Sequence, residues 1–320
     1  MREIGILRKC PACGSSDPKV YFSAKDPDNL FSTPFTLLHC NLCNLVFIRE
    51  ILKLDNLYTG TYYGDPKSIL KPFFNMALHL FILNRIKLIK RYKEGPGKIL
   101  DIGCGDGAFL SHMNKYGWQV FGIDSSLSAS DFMANKNLTL FGKDFLNTNI
   151  EAKSMDAVTY WYSFEHLSNP LEYLEKTYMV LKDDGILVIS VQNIESFQAI
   201  FSGNRWFHLD LPRHILHFSP STLQKILLNA NFRILDIKHS SLQMNIFGWH
   251  QSLLNLLGYQ PNFFYKLGKR GYIRSKKLLP SFLITLLASP LVFPLSIILA
   301  KLEEFYKRGG VITAIAKKRL

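Results

Sequence analysis

At 320 residues, with 48% hydrophobic and 20% charged side chains, the chain is long enough for one large or two modest cores and too apolar for wholesale disorder. Its formal net charge of +13 is concentrated: Ile237 through Leu302 holds no Asp or Glu and eight Lys or Arg residues. The first fifty residues carry six basic and five acidic side chains, which excludes a strongly basic nucleic-acid face there.

Two cysteine turns come first. CPACG and CNLC place Cys10, Cys13, Cys40 and Cys43 in a CxxC-x26-CxxC pattern, a donor set for tetrahedral zinc. Four thiolates leave no open coordination position, so the expected ion is structural, with His39 the weaker rival ligand. Cysteines paired this way suit a reducing compartment. MREIGILRKC contains no continuous apolar run of a secretory leader, and a cytoplasmic location is expected. Residues 1–50 are read as a zinc-ribbon module and 51–95 as a helical linker. Within the linker, Phe73, Met76, Ala77, Leu80 and Leu83 predict a helix over 69–93, ended by Gly95–Gly97.

Strand and helix signals then alternate. KILDIG, QVFGID, LTLFGKDF, AVTYWYS, GILVISV and RILDIKHS read as strands; AFLSHMNKYG, LEYLEKTYMVL and STLQKILLNANF read as helices. The alternation predicts an α/β fold with a mainly parallel sheet covered on both faces. Residues 96–240 form this core, 241–305 a basic and hydrophobic helical insertion, and 306–320 a last strand, VITAIAKK.

ILDIGCGDGAFL sets Gly103, Gly105 and Gly107 between a strand and a helix, where backbone can approach a ligand closely. With Ala108 the loop also satisfies the dinucleotide pattern GxGxxA, so an NAD-dependent reductase is one reading. Asp101 before the glycines is a poor neighbour for a pyrophosphate. Asp124 at the end of the next strand suits two ribose hydroxyls. A ligand with a cationic amino-acid end and no phosphates fits these two carboxylates better.

DIGCGDG, GID at 122–124 and KDF at 143–145 resemble motifs of class I S-adenosylmethionine-dependent methyltransferases. YWYSFEHLSNP and LKDDGILVIS resemble the later motifs of that family. The resemblance spans roughly 95–240 plus the last strand. It is nearest to the ubiquinone-biosynthesis O-methyltransferases and to a bacterial group often associated with cell-surface polysaccharides. It implies a Rossmann-like seven-stranded methyltransferase sheet whose last strand inserts antiparallel. It also implies Asp101, Gly103 and Gly105 at the methionine moiety, Asp124 at the ribose, Asp144 at the adenine amino group and Trp161 beside the ligand. The ubiquinone enzymes carry an ExxEH pattern that can hold a metal; here Tyr162 occupies its first position.

Methyl transfer needs alignment and, for a hydroxyl acceptor, a base. Glu165 and His166 follow the fourth strand and are candidates by position, His166 against a capping role. WFHLDLPRHILHFSP, 206–220, gathers Trp206, His208, Asp210, Arg213, His214 and His217 into a Pro-broken loop of the kind that contacts substrate. Arg213 suits a phosphate or carboxylate, and His214 is the second candidate base; the alternative for both is loop anchoring. The expected activity is O-methylation of a glycan, lipid-linked saccharide or quinone-like hydroxyl. A nucleotide-sugar C-methyltransferase and a non-catalytic, cofactor-binding scaffold are the alternatives.

Residues 278–300, LLPSFLITLLASPLVFPLSIILA, carry no charge. Because the chain must return to the sheet afterwards, a single membrane crossing is excluded on topology. Pro290 and Pro294 predict a hairpin of two helices, 280–289 and 295–306. With the basic run KLGKRGYIRSKK before it, the hairpin is expected to lie on an anionic membrane surface. A buried lid or a homodimer contact is the alternative.

Overall fold

The computed structural model describes residues 4–52, 71–125, 138–142, 144–239, 241–258, 260–270 and 279–319. Five strands occupy the N-terminal segment: β1 (Ile4–Ile6), β2 (Pro18–Ala24), β3 (Phe35–Cys40), β4 (Val46–Ile48) and β5 (Glu50–Leu52). Helix α1 (Lys71–Tyr92) follows; positions 69 and 70 of the expected helix lie outside the described residues.

The core then runs β6 (Lys98–Ile102), α2 (Ala108–Lys115), β7 (Gln119–Ile123), β8 (Leu138–Gly142), β9 (Met155–Trp161), α3 (Pro170–Val180), β10 (Leu181–Gln192) and α4 (Phe197–Ser202). It continues with β11 (Leu216–His217), α5 (Pro220–Asn229) and β12 (Phe232–Lys238). Three insertion helices, α6 (Leu242–Leu257), α7 (Phe263–Arg270) and α8 (Leu279–Phe305), precede β13 (Val311–Lys318).

Seven strands form one sheet in the order β12-β13-β10-β9-β6-β7-β8. β6 to β10 pair in parallel, while β13 is antiparallel to both β10 and β12. This is the expected Rossmann-like methyltransferase sheet. Its strands read as unbroken apolar runs because helices cover both faces: Ile99, Leu100, Ala157, Val158, Leu187, Val188 and Ile189 are wholly buried. One face packs under α1 and α2 through Ile82, Ile86, Ile89, Phe109, Leu110 and Trp118. Core on the other face continues without a break into the N-terminal segment, joining Phe164, Phe218 and Leu223 to Phe47 and Ile48.

A backbone ladder makes the same join. β11, from the loop between β10 and α5, pairs antiparallel with β4 and becomes an edge of the sheet β11-β4-β3-β2. The N–H of Ile48 also donates to the Ile215 carbonyl (2.9 Å), and Thr222 Oγ1 donates to the Cys43 carbonyl (3.4 Å). Nothing in the spacing of 206–220 announces a two-residue strand.

The expected hairpin in the apolar stretch is corrected: α8 is one continuous helix from Leu279 to Phe305, with Pro290 and Pro294 inside it. Both prolines are exposed, so the hydrogen bonds they delete lie on the face away from the protein. The opposite face is a stripe of Ser281, Thr285, Val292, Ser296, Ala300 and Glu303 buried along the whole length. Packing of that stripe keeps the helix intact past the prolines, and Ser296 Oγ donates back to the Val292 carbonyl (2.7 Å).

Candidate active site

The glycine loop follows β6 at the C-terminal edge of the sheet. Gly103 has φ of 78°, and a Cβ there would stand 2.3 Å from the Ser163 Cβ, so both conformation and space demand glycine. Its N–H donates to the Ile123 carbonyl (2.7 Å), and the Gly105 N–H donates to Asp124 Oδ2 (2.8 Å). The Asp124 carboxylate is thereby fixed over the loop. Asp101 is buried and accepts from Thr159 Oγ1 at 2.6 Å. Burial and the nearby Asp124 push its pKa up to about 6, against the pull of Thr159 and Arg85. An ammonium group arriving beside it would restore the charged form.

Asp144 opens the turn after β8. Its carboxylate accepts from the Leu146 N–H (2.9 Å) and Asn147 Nδ2 (2.5 Å), a closed Asx turn. Trp161 ends β9, nearly buried, with its indole N–H unpartnered and Phe109 edge-on at 5.7 Å. Asp101, the glycines, Asp124 and Trp161 thus share one end of adjacent strands.

Sequence reading missed Arg85. From α1 it lays its guanidinium over Phe81 (4.2 Å), Trp161 (4.7 Å) and Tyr162 (5.5 Å). Its Nε is buried without a partner. The available signal was a lone arginine amid Ile82, Ile86 and Ile89 on the core-facing side of the helix. Tyr162 itself has φ of 58°, a costly backbone state for a bulky residue. A cavity of about 340 Å³ opens here, bounded by Arg85, Trp161, Tyr162 and Ser190.

The candidates read separately in the sequence, Glu165 with His166 and the 206–220 loop, lie together in the fold. Glu165 and His166 occupy a short 3-10 turn, Phe164–His166, and the 206–220 loop folds across it. The Ile215 N–H donates to the Glu165 carbonyl (2.9 Å). His166 Nδ1 donates to the Arg213 carbonyl and His214 Nδ1 to the His208 carbonyl, both at 2.8 Å. Carbonyls only accept, so each Nδ1 carries the proton; the His214 Nε2 then holds a lone pair. That Nε2 lies 4.0 Å from Glu165 Oε1 and 3.9 Å from Asp210 Oδ2, and the two imidazoles are 4.9 Å apart.

The electrostatics are those of a dry pocket. Burial, and then the neighbouring His166, hold His214 well below the ordinary imidazole value. Glu165 is wholly buried, neither oxygen has a hydrogen-bond partner, and its pKa is raised by burial. Arg213 directs its Nε (2.9 Å) and Nη2 at Asp210 and its Nη1 (2.8 Å) at Asp28 from the β2–β3 loop. Lys266 completes the cluster at 3.0 Å from Asp28 Oδ1 and 2.6 Å from the Pro27 carbonyl. Trp206 is buried with its indole N–H on Gln198 Oε1 (3.1 Å).

Cys10, Cys13, Cys40 and Cys43 place their sulfurs within 4.8 Å of one another. Zn–S bonds of about 2.3 Å put tetrahedral sulfurs about 3.8 Å apart, and the Cys10–Cys43 and Cys13–Cys40 pairs, at 3.5 Å, fall just inside that spacing. Both turns close alike: the residue after each second cysteine, Gly14 or Asn44, has positive φ and donates to the first cysteine's carbonyl at 2.8 Å. The donor set suits a tetrahedral zinc ion. Among the described residues, Glu165, His166 and His214 are the other group whose ligand atoms converge within 4.8 Å.

Comparison with known proteins agrees with this architecture. A family model for the methyltransferase domain matches residues 77–237. The ubiquinone biosynthesis O-methyltransferase of Actinobacillus pleuropneumoniae serotype 7 is 29% identical over 196 residues, 55% of this chain and 81% of that protein. The protein of the same name from Coxiella burnetii is 26% identical over 202 residues, 59% of this chain and 83% of its own. A solved structure described as a sarcosine dimethylglycine methyltransferase of Galdieria sulphuraria shares the fold at 12% identity and a TM-score of 0.50, over 81% of this chain and 93% of that one. With half of its length matched by the family model, and with the glycine loop and strand order that such proteins use, this chain belongs to the methyltransferase domain family and is an S-adenosylmethionine-dependent methyltransferase.

Proposed function

We propose that this enzyme methylates a hydroxyl group on a saccharide, lipid-linked saccharide or quinone-like acceptor at the cytoplasmic surface of a membrane. The observation that carries the chemistry is the neutral His214, buried beside Glu165 and Asp210 with Nε2 bare. Bound S-adenosylmethionine supplies an electrophilic methyl group on a sulfonium centre. Asp101 would take its ammonium and Arg85 its carboxylate, while Gly103, Gly105 and Asp124 would hold the loop and ribose side, with Asp144 and Trp161 at the adenine and flank. On the acceptor side His214 would remove the hydroxyl proton as the new oxygen–carbon bond replaces the sulfur–methyl bond, with S-adenosylhomocysteine the leaving group. Glu165 and Asp210 stabilise the imidazolium produced, and the His208 carbonyl fixes the ring. The Arg213 ion pairs hold the loop that carries this base.

A second use of the same residues is favoured by the two unpartnered oxygens of Glu165. A divalent cation on Glu165, His166 and His214 would satisfy them and acidify the acceptor hydroxyl. Metal analysis of purified protein and of a Cys10→Ser, Cys13→Ser variant separates the readings: a second equivalent that His214→Ala removes supports the cation.

The membrane location is supported by α8. Leu287, Leu291 and Phe305 are 73%, 79% and 78% exposed, while small and polar residues face the protein. That is the reverse of a soluble amphipathic helix. At about 40 Å the helix is long enough to span the roughly 30 Å hydrocarbon layer. Its buried stripe runs from end to end, however, so the catalytic body lies alongside it throughout and leaves the leucine face to lie in the membrane plane.

The test is methyl transfer from labelled S-adenosylmethionine to cell-envelope extract from a strain lacking the gene. Wild type should label a lipid or glycan fraction. His214→Ala should lose 10²–10⁴-fold of that rate while binding S-adenosylhomocysteine as wild type does. Full labelling by His214→Ala would remove it as the base.

A further inference from the structure

The geometry points to a second acceptor subsite, built jointly by the cysteine module and the catalytic loop, that takes a polyhydroxylated unit, a sugar residue next to the one methylated. This rests on the hydroxyl-methylating reading above and narrows it to acceptors of more than one saccharide unit.

Two cavities border the 206–220 loop. The inner, about 240 Å³, holds Tyr162, His166 and His214. The outer, about 540 Å³, lies between the β2–β3 loop of the module, the chain at 204–211 and the α6–α7 junction. It falls in the size range of small-molecule sites, about 300–1,000 Å³. Asp210 and Asn262 line both, so the cavities share a wall. A chain with one unit at the base would place its neighbour in the outer space.

The lining selects the chemistry. Asn29 and Asn204 offer amides, each with donor and acceptor atoms, and Ser23 adds a hydroxyl, while Asn255 and Asn262 are tied to one another (2.9 Å) and shape the wall. Such a surface matches hydroxyl groups, which also donate and accept. Beside the base a diphosphate finds no uncompensated charge. The buried cations next to the base, Arg213 and Lys266, are matched by Asp28 and Asp210. In the outer cavity Asp26 accepts from the Asp28 and Leu30 N–H groups and Asp210 is held by Arg213, so the exposed Lys25 and Arg205 there can also meet an anionic substituent carried by the sugar. An aromatic head group is disfavoured, because Trp206, the aromatic residue in the lining, is buried with its N–H engaged. The module is therefore part of the acceptor site. Its sheet is completed by β11, and its Asp28 clamps the loop bearing His214.

The experiment uses the zinc-loaded full chain saturated with S-adenosylhomocysteine, and saturation-transfer NMR titrations with free mono-, di- and trisaccharides of glucose, mannose, rhamnose and N-acetylglucosamine. At least one series should bind about tenfold more tightly as di- or trisaccharide than as monosaccharide. Asn204→Trp, which fills the outer cavity from its exposed rim, should abolish that length advantage and leave monosaccharide and S-adenosylhomocysteine affinities unchanged. Equal affinity at all lengths, an advantage that survives Asn204→Trp, or no saccharide binding at millimolar concentration overturns the subsite. Failure to bind S-adenosylhomocysteine would instead strike the methyltransferase assignment of the pocket. If Asn204→Trp does not fold, Asn29→Trp blocks the same cavity from the module side and is read by the same criteria.

Discussion

Asp28→Asn should destabilise the protein by about 3 kcal/mol, far more than a neutral replacement on a surface loop. Asp28 is 8% exposed and lies 2.8 Å from Arg213 Nη1 and 3.0 Å from Lys266 Nζ, whose side chains are 5% and 6% exposed. At an effective dielectric constant near 20, each contact is worth about 5 kcal/mol before desolvation. Relief from burying a carboxylate returns much of that sum. Asp210 still serves Arg213, and the Pro27 carbonyl still serves Lys266. What remains is a buried ammonium that has lost its Asp28 carboxylate, and removing one partner of a buried pair costs about 3–5 kcal/mol.

Urea unfolding of zinc-loaded wild type, Asp28→Asn, Lys266→Met and the double variant measures both the loss and its origin. The double variant no longer buries the cation that Asp28 faces, so it should be at least about 1 kcal/mol more stable than additivity predicts. The pH dependence carries a definite sign. Burial alone would raise the Asp28 pKa, but Lys266 and Arg213 more than offset it and hold it below the ordinary carboxylate range. Its stabilisation is then fully present above about pH 4 and is lost as the pH falls further. The gap between wild type and Asp28→Asn should shrink in acid. A loss under 1 kcal/mol, strict additivity, or a gap independent of pH would refute the claim that this cluster fastens the module to the loop.

Removing zinc with a chelator should abolish methyl transfer while leaving S-adenosylhomocysteine binding by calorimetry nearly unchanged, because Cys43 and β4 support β11 whereas the glycine loop lies on the main sheet. Leu287→Glu with Leu291→Glu should cut sedimentation with anionic liposomes at least about tenfold; unchanged binding would show that α8 is not the contact. Glu303 is buried and accepts from the Gln198 N–H (2.9 Å) and Nε2 (3.0 Å), and burial raises its pKa to about 7. A raised acid costs stability as the pH rises from its unfolded value of about 4.3 towards 7, on the order of 3 kcal/mol here. Glu303→Gln should flatten that part of the stability–pH curve, and an unchanged slope would place the titration elsewhere.

What the sequence made legible was whatever rests on local rules. The strand and helix periods of 96–240, the glycine turn and the two CxxC turns each depend on residues within a few positions, and VITAIAKK matches β13 as observed. Three features depended on contacts that local rules do not see. Arg85 looks like an ordinary basic residue until α1 lays it on Trp161 from β9. β11 has two residues and no turn signal, and exists because β4 offers it an edge. Asp28 sits far from Arg213 in the chain, in a segment that reads only as a loop between cysteine pairs. The α8 hairpin failed for a related reason: proline predicts a break from backbone chemistry alone, and the answer came from which side of the helix lost its hydrogen bonds.

These nonlocal features converge on one arrangement. A methyl donor pocket on the sheet needs little beyond its own strands, and Asp101, Gly103 and Gly105 are placed by β6 and the turn after it. The acceptor side has no strand of its own to stand on. His214 is carried by a loop whose outward end is stitched to β4, whose arginine is held by Asp28, and whose tryptophan is tied through Gln198 to Glu303 on α8. Detaching the cysteine module or α8 should therefore loosen His214, the proposed base, before it disturbs the glycine loop. The two additions to the family's core are then two anchors of the one 206–220 loop, the cysteine module through β4 and Asp28 and α8 through Glu303 and Gln198.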